Sequence, residues 1–288
     1  MRERWKQAFW ILVSAAVVLS VAFASLVLLN TYPNLLMLHP GDFEGQVELA
    51  IVCVAIYLAV VRWIERRPAT ELSPHHALQA LAAGLLGGIA LVSLIIAILW
   101  IVGVFQPEKA GAFGALGRGF VYMLAVAVRE EIVYRGVMFR LCSKVVGTWG
   151  ALLVTAAWFA ASHATNPGAS TTGLLVIALA GVLLGAAYAA TGRLWLPIGL
   201  HLGWNFAEGS IFGTVVSGHD IGPSLIQGKM HGSTVWTGGD FGPEASIVGL
   251  AVTLAITAFF VWRIAKLERA EPPIWSDVGR APVTTAAT

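Results

Sequence analysis

Apolar runs of about 20 residues follow one another along nearly the whole chain, and no other feature limits its fold so strictly. A run of that length spans the ~30 Å hydrocarbon core of a bilayer as an α-helix. The composition agrees: 57% of the 288 residues are hydrophobic and only 12% charged, with a mean hydropathy of +0.77, against roughly 25% charged residues in an average soluble domain. The length would accommodate one or two soluble domains, but the apolar runs leave no room for a separate one. The formal net charge of +2 is small and points to no nucleic-acid partner. The chain reads as an all-α polytopic membrane protein.

Cutting the chain at its polar breaks predicts about eight transmembrane helices, near residues 8–29, 47–64, 77–105, 119–145, 149–164, 172–191, 196–216 and 245–264. The first has a basic prefix, Arg2, Arg4 and Lys6, like the start of a signal peptide. Its apolar run exceeds the usual ~7–15 residues, and no Ala-x-Ala site follows, so it reads as a retained anchor. With the amino terminus inside, thirteen of the eighteen basic residues fall on the inner face and Lys109, Arg118 and Lys229 outside, while Arg129 and Arg135 lie in the membrane. That asymmetry is the positive-inside pattern, and it predicts two cytoplasmic termini. The organisation expected is an anchor helix and outer loop (1–46), helices two and three (47–118), a core of helices four to seven (119–216), an outer loop and helix eight (217–270), and a disordered cytoplasmic tail (271–288).

The fourth predicted helix carries the anomaly. In Val128-Arg129-Glu130-Glu131-Ile132-Val133-Tyr134-Arg135-Gly136 four charged side chains stand within seven residues, where each charge costs roughly 2.5–3.5 kcal/mol at a helix centre and marks a functional site by default. Glu131 and Arg135, four apart with the acid first, form the favoured helical ion pair. Glu130 is rotated about 100° away and has Tyr134 rather than a cation at the next turn. It is expected to be the carboxylate left over for general-base work. Arg129 points elsewhere on the helix, toward another span or the interface.

Two further spans hold polar chemistry. Phe159 and His163 share a helical face near the end of the fifth, and His201 and Asn205 share one in the seventh, with Glu208 continuing it. A single membrane histidine is often no more than a hydrogen bond to a neighbouring helix; with the acidic pair, a shared site is the better reading. Cys53 and Cys142 lack the spacing of a disulfide or thiolate site. The outer segment 215–244 is rich in Gly and Pro and reads as irregular. Its His219, Asp220, His231 and Asp240 are scattered as solvated polar residues are, not as metal ligands. Trp149, Trp158, Trp195 and Trp204 read first as interfacial anchors.

Glu130-Glu131-x-x-x-Arg135, Phe159-x-x-x-His163 and His201-x-x-x-Asn205, in that order on successive membrane helices, resemble the three signature motifs of the CAAX protease and bacteriocin-processing (Abi) family of intramembrane proteases, which includes the prenyl-protein endopeptidases. The resemblance covers about residues 119–208 and fills every motif position. It implies that Glu130, helped by His163, activates a water; that His201 and Asn205 bind the oxyanion; and that Glu131, Arg135 and Phe159 support the site between helices four, five and seven. At ~1.5 Å per residue Glu130 and His163 lie about 20 Å from the inner ends of their helices and His201 about 12 Å. Convergence therefore predicts a tilt or a break in the seventh helix near Pro197 and Gly199.

The substrate implied is a membrane-associated peptide, prenylated tails among them, reached from the cytoplasmic side, with membrane lipid as the other partner. Metal dependence is the main alternative. Zinc would draw on Glu130, His163 and His201, but Glu131 is committed to Arg135 and no His-Glu-x-x-His occurs, so a metal-free glutamate mechanism with no cofactor is preferred. Thr237-Gly238-Gly239-Asp240 lacks the first glycine of the aspartyl intramembrane motif, and no Gly-x-Ser-Gly is present. Outside catalysis, the rivals are a proton-coupled transporter, against which the lack of internal repeats counts, and a non-catalytic membrane scaffold or immunity protein.

Overall fold

The computed structural model describes residues 43–272, apart from 112 and 268 and the side chain at 115; the predicted first span and nearly all of the predicted tail lie outside them. The described chain is an all-α bundle with one small ribbon. Its elements are α1 (Phe43–Ala59), continued by a π-helical turn at Val60–Ile64, then α2 (Ala77–Ile101), β1 (Phe105–Ala110) and α3 (Ala115–Glu131). A π-helical segment at Ile132–Phe139 leads into α4 (Arg140–Ser162), followed by α5 (Thr171–Thr191) and α6 (Trp195–Asn205), which also runs on as a π-helical segment, Phe206–Ile211. The chain ends with β2 (Ile226–Met230), the short α7 (Thr234–Thr237) and α8 (Ile247–Lys266).

Five helical runs among the described residues are long and apolar enough to cross a membrane: Phe43–Ile64, Ala77–Ile101, Leu116–Ser162, Thr171–Thr191 and Ile247–Lys266. The longest is divided at Gly147, whose φ of 73° and ψ of 171° are not helical, so it supplies two rods where the sequence predicts the fourth and fifth spans. Only 22% of the apolar window of α1 is buried, and 28% in α2 and α8, with Leu86, Leu94, Leu153, Leu254 and Phe259 among the large side chains left exposed. Apolar rods so little covered by protein are suited to lipid. The chain is an integral membrane protein.

Local chemistry explains where the rods stop. α2 ends four residues before the expected Phe105, because Gly103 takes φ 77°. The Val104 amide then bonds to Leu99 O at 2.8 Å and the Gly103 amide to Trp100 O at 3.0 Å. That double bond is a Schellman cap, and Val104 and Leu99 share a core cluster as its hydrophobic contact. Ser170 caps α5 through the Gly173 amide and Ser246 caps α8 through the Gly249 amide. α6 passes Pro197 and Gly199 without the expected break, since Pro197 lies in the first turn, where a missing N–H is tolerated. The irregularity comes later, at Phe206–Ile211, and the helical run ends at Ile211, short of the expected Val216. The outer segment is not wholly irregular either: β2 pairs antiparallel with β1, from Phe105 opposite Met230 to Ala110 opposite Ile226.

Glycines set the bundle's tightest contact. A Cβ at Gly84 would stand 2.4 Å from Leu196 O and one at Gly88 2.4 Å from Leu200 O; reciprocally, one at Gly199 would stand 2.3 Å from Leu81 O and one at Gly203 2.2 Å from Leu85 O. Two small-xxx-small stripes thus let α2 and α6 meet backbone to backbone. This contact fixes the helix that carries His201 and Asn205.

At one end of the bundle, charges tie the connections together. Glu65 bonds Arg140 through both oxygens (2.9 and 2.6 Å) and the Arg67 Nε at 2.6 Å. Arg67 donates to both oxygens of buried Glu71 at 2.9 Å, and Tyr57 also donates to Glu71. Glu271, assigned from sequence to the tail, is pinned to Thr148 by two backbone-mediated bonds.

Candidate active site

α3 delivers Arg129, Glu130 and Glu131 on its last turn, the π-helical segment after it delivers Tyr134 and Arg135, α4 ends on Phe159, Ser162 and its cap His163, and α6 supplies His201 and Asn205. π-helical turns of this kind recur at functional sites. Glu130, His163, His201 and Asn205 all line one cavity of about 940 Å³. Its remaining wall is largely apolar, with Ile56, Val133, Met138 and Leu184 among the residues facing it, and of the four tryptophans singled out in the sequence Trp158 and Trp204 belong to it. Trp195 instead donates to Ser73 O at 2.8 Å.

Glu131 is wholly buried, and one oxygen carries two bonds. Its Oε1 accepts from Arg135 Nη1 at 2.8 Å and from His201 Nδ1 at 2.9 Å. The i,i+4 pair is the one the spacing predicts; its third member is not, because nothing in the local sequence relates His201 to a residue seventy positions earlier. Arg135 also donates to Gly181 O at 3.1 Å, and its guanidinium carbon lies 4.9 Å from the centre of the Phe159 ring, a cation–π contact. Phe159 meets Tyr134 edge-on at 4.8 Å, His163 at 4.7 Å and His201 edge-on at 6.3 Å. One phenyl ring thus touches both imidazoles and the Arg135 guanidinium.

Glu130 departs from its sequence reading. It is not left without a cation: Arg129 Nη2 stands 3.0 Å from Oε1, and Arg129 Nη1 donates to Gln46 Oε1 at 2.6 Å. Adjacent residues point 100° apart at the backbone, but a long arginine stem folds back across that angle, which a wheel of Cβ directions does not register. The other oxygen, Oε2, lies 3.9 Å from His201 Nε2. Arg129 therefore serves the site instead of the interface.

Both imidazoles have one nitrogen committed. His163 Nδ1 faces Phe159 O at 2.8 Å; a carbonyl only accepts, so that nitrogen carries the hydrogen and Nε2 is left for the cavity. Ser162 Oγ, 3.2 Å from the same nitrogen, takes a 2.8 Å bond from the Tyr134 hydroxyl. His201 likewise spends Nδ1–H on the Glu131 carboxylate and turns Nε2 toward Glu130.

Two carboxyls absent from the motifs complete the surroundings. Glu244, from the loop before α8, lines the cavity and accepts from the Ser217 amide and hydroxyl at 2.8 and 2.7 Å through Oε1. Burial pushes its carboxyl above the ordinary range, against the pull of the Ser217 hydrogen bonds and the charge of His163. Glu208 is fully buried behind it; the Trp204 indole and the Glu244 amide approach its carboxylate, yet neither oxygen makes a hydrogen bond of normal geometry. Glu208 was visible in sequence as the i+7 neighbour of His201, whereas no spacing announces Glu244.

Among the described residues no three His, Cys, Asp or Glu side chains are gathered to hold a metal ion. Zinc needs three or four such donors converging, and the set it would draw on, Glu130, His163 and His201, does not form that shell. In the outer loop His219 and Asp220 make local turn bonds instead, to Ser217 O and from the Gly222 amide.

The comparison with family models bears on this geometry directly. Residues 112–207 match the model of the Rce1-like type II CAAX prenyl endopeptidases. This Rce1-like region runs from the start of α3 through Asn205, takes in all three motifs and bears out the resemblance read from them. The description is of a family of endopeptidases, and the match covers about a third of the chain. No curated protein and no solved structure matches the chain.

Proposed function

We propose that the chain is an intramembrane endopeptidase that cleaves membrane-tethered, prenylated peptides by a glutamate-activated water without a metal. The observation that carries this reading is the single cavity shared by Glu130, His163, His201 and Asn205. In it, Glu130 Oε2 takes a proton from water as the water oxygen attacks the scissile carbonyl, while Arg129 holds the other oxygen in place at 3.0 Å. His163, its Nδ1–H anchored on Phe159 O, offers the bare Nε2 as the second acceptor near the water. The carbonyl electron pair moves to oxygen, where the Asn205 amide donates. His201 donates there as well when its ring carries both protons, since Nδ1–H is already spent on Glu131. Donors aimed at developing charge in a dry site contribute roughly 2.7–4 kcal/mol each. The apolar wall excludes bulk water and suits a lipid chain, and the basic residues at the Glu65–Arg140 end orient that face, with both termini, to the cytoplasm of a bacterial cell.

Purified protein in lipid, offered a library of prenylated and unmodified peptides, tests this. Glu130→Gln and His163→Ala should each lower cleavage by about 10²–10⁴-fold with unchanged thermal stability, and dialysis against a chelator should leave the wild-type rate unaltered. Undiminished cleavage by Glu130→Gln would sink the glutamate mechanism, and activity lost to the chelator and restored by zinc would replace it with a metal one.

A further inference from the structure

Glu244 lies outside the three motifs and outside the matched region, yet its carboxyl faces the same cavity and is within electrostatic reach of His163. Its position is built, not incidental. Ser217 gives both its amide and its hydroxyl to Oε1, and Ser217 is itself held at φ 46°, unusual for a residue other than glycine, with its carbonyl bonded by Asn166 Nδ2 at 2.8 Å. One oxygen is thereby fixed, which orients the other. Behind it stands Glu208, wholly buried, and among the described residues neither carboxyl forms an ion pair. Two carboxyls close together in a dry site do not both ionise, so the pair keeps one proton. Across the cavity, Glu130 has Arg129 at 3.0 Å. Carboxyls in such contrasting surroundings divide into base and acid.

We propose that Glu244 is the catalytic acid that protonates the leaving nitrogen, with Glu208 holding the proton on the pair. This rests on the endopeptidase reading above. The water oxygen bonds to the carbonyl carbon, the carbonyl pair moves to oxygen and one water proton goes to Glu130. The oxyanion then re-forms the carbonyl, the C–N bond breaks, and its electron pair, now on nitrogen, takes the proton from Glu244. The proton on Glu130 returns to Glu244 by way of the His163 Nε2, the nitrogen left for the cavity that all three residues line. Water and amide become acid and amine, with no proton gained or lost.

An amide nitrogen needs an acid to leave, whereas a nitrophenolate does not, and that difference supplies the test. Wild type, Glu244→Gln and Glu130→Gln are compared on a cleavable peptide and on the p-nitrophenyl ester of its acyl half. Glu244→Gln should lower kcat on the peptide by about 10²-fold and on the ester by no more than about threefold, while Glu130→Gln abolishes both. Equal losses of Glu244→Gln on both substrates, or none on the peptide, overturn the acid role and leave the protease reading standing. Should Glu244→Gln fail to fold, Ser217→Ala and Glu208→Gln carry the same comparison, with the same peptide-selective loss expected. A wild-type chain that cleaves no peptide overturns the protease reading, and the acid role with it.

Discussion

Glu131 Oε1 gathers the two cationic or potentially cationic groups that come deepest into the bundle, Arg135 and His201. Removing one partner of a buried pair leaves an uncompensated charge, which costs about 3–5 kcal/mol. Arg135→Met should therefore lose stability on that scale, seen as a lower melting temperature in detergent, and adding Glu131→Gln should restore a large part of it. A single variant that melts with wild type would show that Glu131 draws its compensation from His201 alone. The same oxygen aligns His201, so its loss would also turn Nε2 away from the cavity. Structural and chemical duties thus meet on one atom, while Glu130, one residue earlier, keeps an oxygen free.

The helices reach the site through contacts that side-chain chemistry alone does not suggest. α6 is held against α2 by Gly84, Gly88, Gly199 and Gly203, where added methyl groups would press into carbonyl oxygens of the facing helix. Gly203→Ala should cost about 1–3 kcal/mol, the usual range for overpacking, and lower peptide cleavage by shifting His201 and Asn205 on either side of it. Gly192→Ala is the control for a glycine with open space around its Cβ, although its φ of 66° adds strain of its own. Wild-type melting and activity in Gly203→Ala would show that the two helices have room to separate. The π-helical segments are the other device: at Gly136 the carbonyl accepts from the side chain of Arg140, one turn on in the same helical run, at 2.6 Å and from the Tyr57 hydroxyl of α1 at 3.3 Å.

Across the molecule, the charged end is the region most sensitive to acid. Burial alone would raise the Glu65 carboxyl, but the hydrogen bonds and charges of Arg140 and Arg67 outweigh it and hold the group below its ordinary 4.5. A carboxyl with a lower pKa folded than unfolded contributes its full stability above the unfolded value and loses it as pH falls through the folded one. Melting temperature should accordingly drop more steeply below pH 4.5 in wild type than in Glu65→Gln. Glu71, pushed up by burial, titrates with the opposite sign, and the difference between the two proteins removes it. Parallel acid limbs would rule out a stabilising role for Glu65.

How much of this was legible follows from the range of the interactions. Apolar run length and the polar breaks between runs are local properties of the sequence, so the rods of α1 to α5 and α8 could be read along the chain. So could the pair Glu131–Arg135 and the three motifs, each spanning one or two helical turns. The ribbon between β1 and β2 and the π-helical segments could not, because each depends on what packs against it, while the local stop of α2 at Gly103 was hidden by an apolar run that continues to Phe105. The same holds inside the site. Chain order supplied Glu130, His163, His201 and Asn205; three-dimensional packing supplied Arg129 folded onto Glu130, His201 bound to Glu131, and Glu244 carried in by Ser217 from a loop with no motif. Periodicity encodes the direction a side chain leaves its own helix, and it carries no information about which distant backbone or carboxylate it will meet.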